Sequence, residues 1–184
     1  MDMNETARAA LGEVGAVLDA VLPEQVEALA RPILDARRIA LVGVGREGLM
    51  MRALAMRLFH MGLDAHVVGD MTTPPVGEGD LLIVSAVPGD LSIVTALVET
   101  ANGAGARTLC ITAEPDGVTS KAASAIVHLP AQTMARDRGG ASVLPMGSLY
   151  EAAMFLFFEI AILHLRDRTG ISAEEMRARH TNLE

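Results

Sequence analysis

Three segments place side chains suited to proton transfer or anion binding at turns that open helices. The first is Gly43-Val44-Gly45-Arg46-Glu47-Gly48, directly after the apolar run Ile39-Ala40-Leu41-Val42. A strand, a Gly-x-Gly-x-x-Gly turn and a helix form the dinucleotide fingerprint, and Asp70 stands after the next strand-like run, where a ribose-binding acid belongs. Glu47 works against that chemistry. Its carboxylate falls in the first helical turn, where a pyrophosphate would lie, and like charges repel. The plainer reading is that the glycines permit a tight turn and close helix packing, with Asp70 on a surface loop.

The second segment is Ser85-Ala86-Val87-Pro88-Gly89-Asp90, at the end of another apolar run. Open α/β sheets bind ligands in the crevice at the carboxyl ends of adjacent strands. Asp90 is expected to cap the following helix, so that an in-chain anion fills what is otherwise a ready phosphate site. The third segment is Pro145-Met146-Gly147-Ser148-Leu149-Tyr150-Glu151. Ser148-x-x-Glu151 fits a capping box, with Glu151 folded back on the helix start, and the same carboxylate is equally placed to move a proton. Among the histidines, His66, His128 and His164 lie in strand or helix patterns and read as structural or surface residues. His60, at a helix end, and His180 are the better candidates for proton transfer.

These segments need a scaffold that brings strand ends together. Residues 3–36 carry helical periodicity, with Ala7, Leu11, Val14, Leu18 and Val21 on one stripe, then Val26, Leu29 and Ile33 after the break at Pro23. Strand-like runs follow at 39–42, 65–68, 81–85, 108–112 and 125–129, with helical segments from the first glycine turn to about Met61, at 91–102 and near 118–123. About five strands alternating with helices predict an α/β fold, a doubly wound parallel sheet with helices on both faces. The division expected is a helical arm over 1–37 and one domain over 38–184 that includes the C-terminal helices. Residues 131–145 form a loop longer than a connection requires, and the helix that follows, 148–167, is apolar on nearly all sides. A helix of that kind in a chain this small predicts self-association.

Composition excludes several functions. The chain has 184 residues, 51% hydrophobic and 21% charged, which fits one globular domain. Its net charge of −8, the absence of Trp and the single Tyr150 disfavour nucleic acid and anionic membranes as partners. Cys110 is the only cysteine and reads as a buried strand thiol, and Lys121 is the only lysine, which disfavours Schiff-base enzymes. The acidic N-terminus lacks the pattern of a secretory signal, so a cytoplasmic protein is expected.

From about Arg38 to Glu184 the chain resembles the sugar isomerase (SIS) family, in particular its 6-phospho-3-hexuloisomerases. The residues that carry the resemblance are 43–48 with 55–62, the segment 145–151, and the tail Arg179-His180-Thr181-Asn182-Leu183-Glu184. It implies a five-stranded α/β sandwich assembled as a homotetramer, or dimer, that interconverts 3-keto and 2-keto hexose phosphates with no metal or organic cofactor. It also implies Glu151 as the base of an enediolate mechanism, Arg46 at the developing oxyanion, and His60 or His180, supplied across a subunit interface, for oxygen protonation or ring opening. The substrate would lie against Gly43, Gly45, Glu47, Gly48, Ser85, Val87 and Asp90.

The sequence departs from the family where the phosphate is held. The family's first turn reads Gly-x-Gly-Arg-Ser-Gly and its second loop Ser-Gly-Ser-Gly-Glu-Thr. Here Glu47 replaces the serine, Val87 deletes a hydroxyl, Pro88 deletes an N–H, and Asp90 adds charge. The leading expectation is therefore an isomerase whose sugar-like substrate carries no phosphate at the usual end. Two alternatives stand beside it: the ordinary hexulose phosphate reaction, with Arg46, Arg136 or Arg138 holding the phosphate, and a non-catalytic sugar-binding module. A sugar-sensing regulator with a DNA-binding helix-turn-helix is not expected, because about 37 residues precede the first strand.

Overall fold

The computed structural model describes residues 2–87, 89–136 and 142–183. Short runs rich in Ile, Val and Leu form β1 (Ile39–Val42), β2 (Ala65–Val67), β3 (Leu81–Ser85), β4 (Arg107–Thr112) and β5 (Ala125–His128). They pair in parallel in the order β2-β1-β3-β4-β5. Residues of opposite parity face opposite layers. Ile39, Leu41, Leu81, Ile83, Leu109 and Ile111 point into the larger core, while Ala40, Leu82, Val84 and Cys110 point into the smaller one.

The larger core is closed by α2 (Pro23–Leu34), α3 (Arg46–His60) and α6 (Ser148–Thr169), which supply Leu29 and Ile33, Met51, Leu54 and Leu58, and Phe157, Ile162 and Leu165. The other face is covered by α4 (Ser92–Gly103), through Val94, Val98 and Ala101, and by α5 (Val118–Ala122). The arm helix α1 (Met3–Ala20) is capped by Asp2 and rests on α6 through Val14 and Val17, which meet Leu149 and Ala153. Ala7 and Leu11, expected on its buried stripe, are exposed, because only the later turns of α1 reach α6. The chain ends in α7 (Ala173–Ala178), opened by a capping box between Ser172 and Glu175.

The alternation of strands and helices thus builds the α/β sheet expected from the sequence, and its order creates a switch point. From β1 the chain runs outward to β2, and β3 returns on the other side, so the loops after β1 and β3 diverge and leave a crevice. The first of these loops is held by its glycines. A Cβ on Gly43 would lie 2.9 Å from the Gly48 nitrogen, and one on Gly48 would lie 2.6 Å from the Gly43 oxygen. Gly45 has φ +62°. The turn is therefore close-packed on itself. Asp70 lies on the exposed surface, paired with Arg52 at 3.2 Å. Gly48→Ala is expected to lower unfolding free energy by about 2–4 kcal/mol in urea titration, since the obstacle is backbone; a loss under about 0.5 kcal/mol would contradict the close-packing account.

Two expected helix caps are corrected. Asp90 does not cap α4: the N-cap is Leu91, whose N–H donates to Thr119 Oγ1 at 3.2 Å, and Asp90 is exposed. Ser148 and Glu151 form no capping box, because Gly147 is the N-cap of α6 and the Glu151 carboxylate is held by Arg46 instead.

α6 is long and apolar enough to cross a membrane, with half of its most apolar window buried in the core. It leaves Phe155, Leu156, Ile160 and Leu163 exposed, and α3 beside it leaves Met56 and Phe59 exposed.

Candidate active site

The turn after β1, the loop after β3, the 3-10 turn at Met134–Arg136 and the start of α6 enclose a cavity of about 460 Å³. Its wall includes Gly45, Arg46, Glu47, Val87, Tyr150 and Glu151. Arg46 and Glu151 lie more than a hundred residues apart in sequence and form an ion pair here through Arg46 Nε and Glu151 Oε2. The Glu151 side chain is largely buried, at 13% exposure, whereas Arg46 is open at 68%. A carboxylate held this way is fixed in direction, and a mobile guanidinium can turn from it to a substrate oxygen. At the same rim Met146 has φ +57°, a left-handed conformation uncommon outside glycine, so the segment entering α6 stores strain beside the cavity.

Glu47 occupies the opposite, sheet-side part of this wall. Its Oε2 accepts a hydrogen bond of 2.6 Å from the Ser85 hydroxyl, and the Val87 N–H also donates to its carboxylate. Ser85 itself is fully buried. Burial pushes the Glu47 carboxyl from 4.5 up to about 7, with the nearby Glu151 adding to the rise and the Ser85 and Val87 donors opposing it. The Tyr150 phenol is fully buried and makes no well-directed hydrogen bond among the described residues; desolvation raises it well above its ordinary range.

The raised Glu47 makes stability depend on pH. Its folded value lies above its unfolded one, so folding takes up a proton between about 4.5 and 7. The contribution is fully present below about 4.5, is lost as pH rises through about 7, and leaves a cost of about 3 kcal/mol in alkaline solution. Glu47→Gln is expected to stabilise the protein at alkaline pH and to change little under acid conditions. A thermal-unfolding series across pH checks this, and an unchanged alkaline midpoint would contradict it.

The structure brings together Gly45, Arg46, Glu47, Val87 and Glu151 at one cavity, with Ser85 just behind Glu47 and with Gly43 and Gly48 shaping the turn. Asp90 does not reach it. Arg136 is paired with Glu114, and Arg138 and Pro88 lie outside the described residues. His60 and His180 stack with ring centroids 5.2 Å apart, at a second cavity of about 340 Å³ between α3, α6 and α7, which Arg57, Glu159, Arg166 and Arg177 also line. Within one copy of the chain they therefore do not share a cavity with Glu151. Among the described residues no three His, Cys, Asp or Glu side chains converge as a metal site requires. The residues that sequence reasoning missed are Tyr150 and Met146: the first reads as an ordinary core aromatic, and the strained backbone of the second has no signal beyond its place between Pro145 and Gly147.

Comparison with known proteins bears on this arrangement. The SIS domain family model matches residues 32–158. The chain belongs to the SIS domain family. Among SIS relatives, the 3-hexulose-6-phosphate isomerase of Mycobacterium gastri is 42% identical, over 94% of this chain and 86% of the relative. That of Bacillus subtilis (strain 168) is 36% identical over 88% of each. The fold is also that of a hypothetical protein from Methanococcus jannaschii, whose crystal structure infers a function of 3-hexulose-6-phosphate isomerase. It superposes with a TM-score of 0.85 at 26% identity, covering 98% of this chain and 99% of that one.

Proposed function

We propose that this SIS chain is a sugar isomerase that moves a proton between neighbouring carbons through an enediolate. Glu151 is the base, and Arg46 steadies the oxyanion that develops as the carbonyl migrates. A carboxylate suits both directions, accepting a proton from one carbon and returning it to the next. Arg46 already lies on Glu151, so a substrate oxygen entering the cavity meets both groups at once. His60 and His180 take part in oxygen protonation or ring opening only where a second copy brings their cavity to this Glu151. The exposed apolar residues on α3 and α6 support such a homo-oligomer, tetramer or dimer. The small-molecule substrate and the close metabolic relatives support a cytoplasmic enzyme, working without a metal or organic cofactor.

The substrate in this proposal is a sugar or sugar-like molecule with no phosphate at the Glu47 end. One observation carries it: the Ser85 hydroxyl and the Val87 N–H, donors that an anion would need, are already taken by the Glu47 carboxylate. A second reading is the ordinary reaction of the relatives, 3-hexulose 6-phosphate to fructose 6-phosphate, with the phosphate moved to Arg46 or Arg136. The 42% identity to the Mycobacterium gastri enzyme favours it. Thermal stabilisation separates the two, since a ligand that prefers the native state raises the unfolding midpoint. Matched sugars with and without phosphate, including fructose and fructose 6-phosphate, are expected to stabilise only in the unphosphorylated set. Stabilisation by the phosphorylated set alone would overturn the first reading and sustain the second.

A further inference from the structure

Glu47 is a carboxyl group with no cation of the chain's own among the described residues. The guanidinium beside it in sequence, Arg46, is held by Glu151, and Arg52 on the next turn is held by Asp70. From β3 it meets the Ser85 hydroxyl and from the following loop the Val87 N–H, and the titratable groups whose charge acts on it are Glu151 and the buried Tyr150 phenol from α6 and, from β4, the Cys110 thiol. None of these is positively charged. Both donors that reach Glu47 are neutral, so the charge of the carboxylate is left for whatever enters the cavity. A buried anion lacking a counter-ion is completed most strongly by a cationic donor from outside, because a charge-assisted hydrogen bond exceeds a neutral one.

Resting on the reading of this cavity as the isomerase site, we propose that Glu47 sets substrate specificity and takes a protonated amine, as on an amino sugar or amino polyol carrying a carbonyl. An ammonium group offers three donors and a full charge, where a hydroxyl offers one donor and none. Its arrival also favours the ionised carboxylate. When the carboxyl is protonated beforehand, amine binding expels that proton to the buffer, and the bound pair is ammonium and carboxylate. Neutral sugars release no proton on binding at the same place.

The test is calorimetric titration of the intact protein at slightly acidic pH, in two buffers of different ionisation enthalpy. The probes are 6-amino-6-deoxyglucose and glucosamine, against glucose, N-acetylglucosamine and glucose 6-phosphate, each with wild type and Glu47→Gln. At least one amine is expected to bind wild type about tenfold or more tighter than its neutral counterpart, with an enthalpy that shifts between buffers. In Glu47→Gln the preference should fall to within about twofold while the protein remains folded. Equal affinities, a preference that persists in Glu47→Gln, or no binding of either amine overturns the proposal. The readout is binding alone, so it separates from the isomerase reading. An amine preference with no exchange of carbon-bound hydrogen from D2O on any sugar sinks the reaction and leaves the specificity, and such exchange without amine preference does the reverse.

Discussion

Glu151→Gln is expected to lower kcat by about 10³-fold or more while leaving substrate affinity within a few-fold of wild type. Gln keeps the size of the side chain and can still accept a hydrogen bond from Arg46, so the start of α6 should hold its shape. What it cannot do is take a proton from carbon. Among the described residues Glu47 is the other acid lining the cavity, and its hydrogen bond from Ser85 holds it at the substrate-binding position and not beside Arg46. Steady-state kinetics with a thermal-unfolding control checks the expectation. A variant with normal folding and more than about a tenth of wild-type kcat would remove Glu151 from the mechanism.

The second large effect concerns phosphate. Two unit charges 4 Å apart repel by about 4 kcal/mol at an effective dielectric near 20, and a phosphate carries about −1.5 to −2. On the proposed reading, an ionised Glu47 would oppose a phosphate several hundredfold, a penalty felt in full only well above the value of about 7 to which burial raises its carboxyl, before the loss of Ser85 and Val87 as donors is counted. Removing it should release both donors and the charge together. Glu47→Ser combined with Val87→Ser is expected to strengthen binding of fructose 6-phosphate by about 10²-fold near pH 9, where Glu47 is ionised, and by less at neutral pH, measured by titration at both. Asp90→Thr should add little, because Asp90 is exposed and away from the cavity. A folded double variant with unchanged phosphosugar affinity would mean that phosphate is held elsewhere, with Arg46 and Arg136 the next positions to test.

The fold was legible because its signals are local and repeated. Each strand is a short apolar run ended by a turn, and the helices between them keep a regular period, so the parallel α/β sheet follows from sequence alone. Capping was legible only where nothing competed. Two Ser-x-x-Glu segments occur at helix starts. Ser172 and Glu175 form the capping box, whereas Glu151 is taken by Arg46 from a helix far away in sequence. Asp90 is no cap because the helix starts one residue later than the pattern predicts, with Leu91 at the N-cap and its N–H bonded to the Thr119 hydroxyl. Such outcomes depend on tertiary neighbours, and local patterns carry no information about them. The same holds for the site: the sequence named Glu47, Ser85 and Val87 one by one, and their hydrogen bonds to one another become visible only when β1 and β3 lie side by side. His60 and His180 stand out in the sequence only as separate candidates for proton transfer, and their stacking away from the Glu151 cavity follows from where α7 folds back onto α3.

Deuterium incorporation from D2O, followed by NMR, tests the central claim most directly, because enediolate chemistry exchanges the carbon-bound hydrogen beside the carbonyl even when net conversion is slow. The substrates to compare are ketoses with and without a terminal phosphate, with wild-type protein and Glu151→Gln side by side. The account predicts Glu151-dependent exchange in the unphosphorylated set and none with fructose 6-phosphate. Exchange with fructose 6-phosphate alone, or exchange that survives in Glu151→Gln, would contradict it.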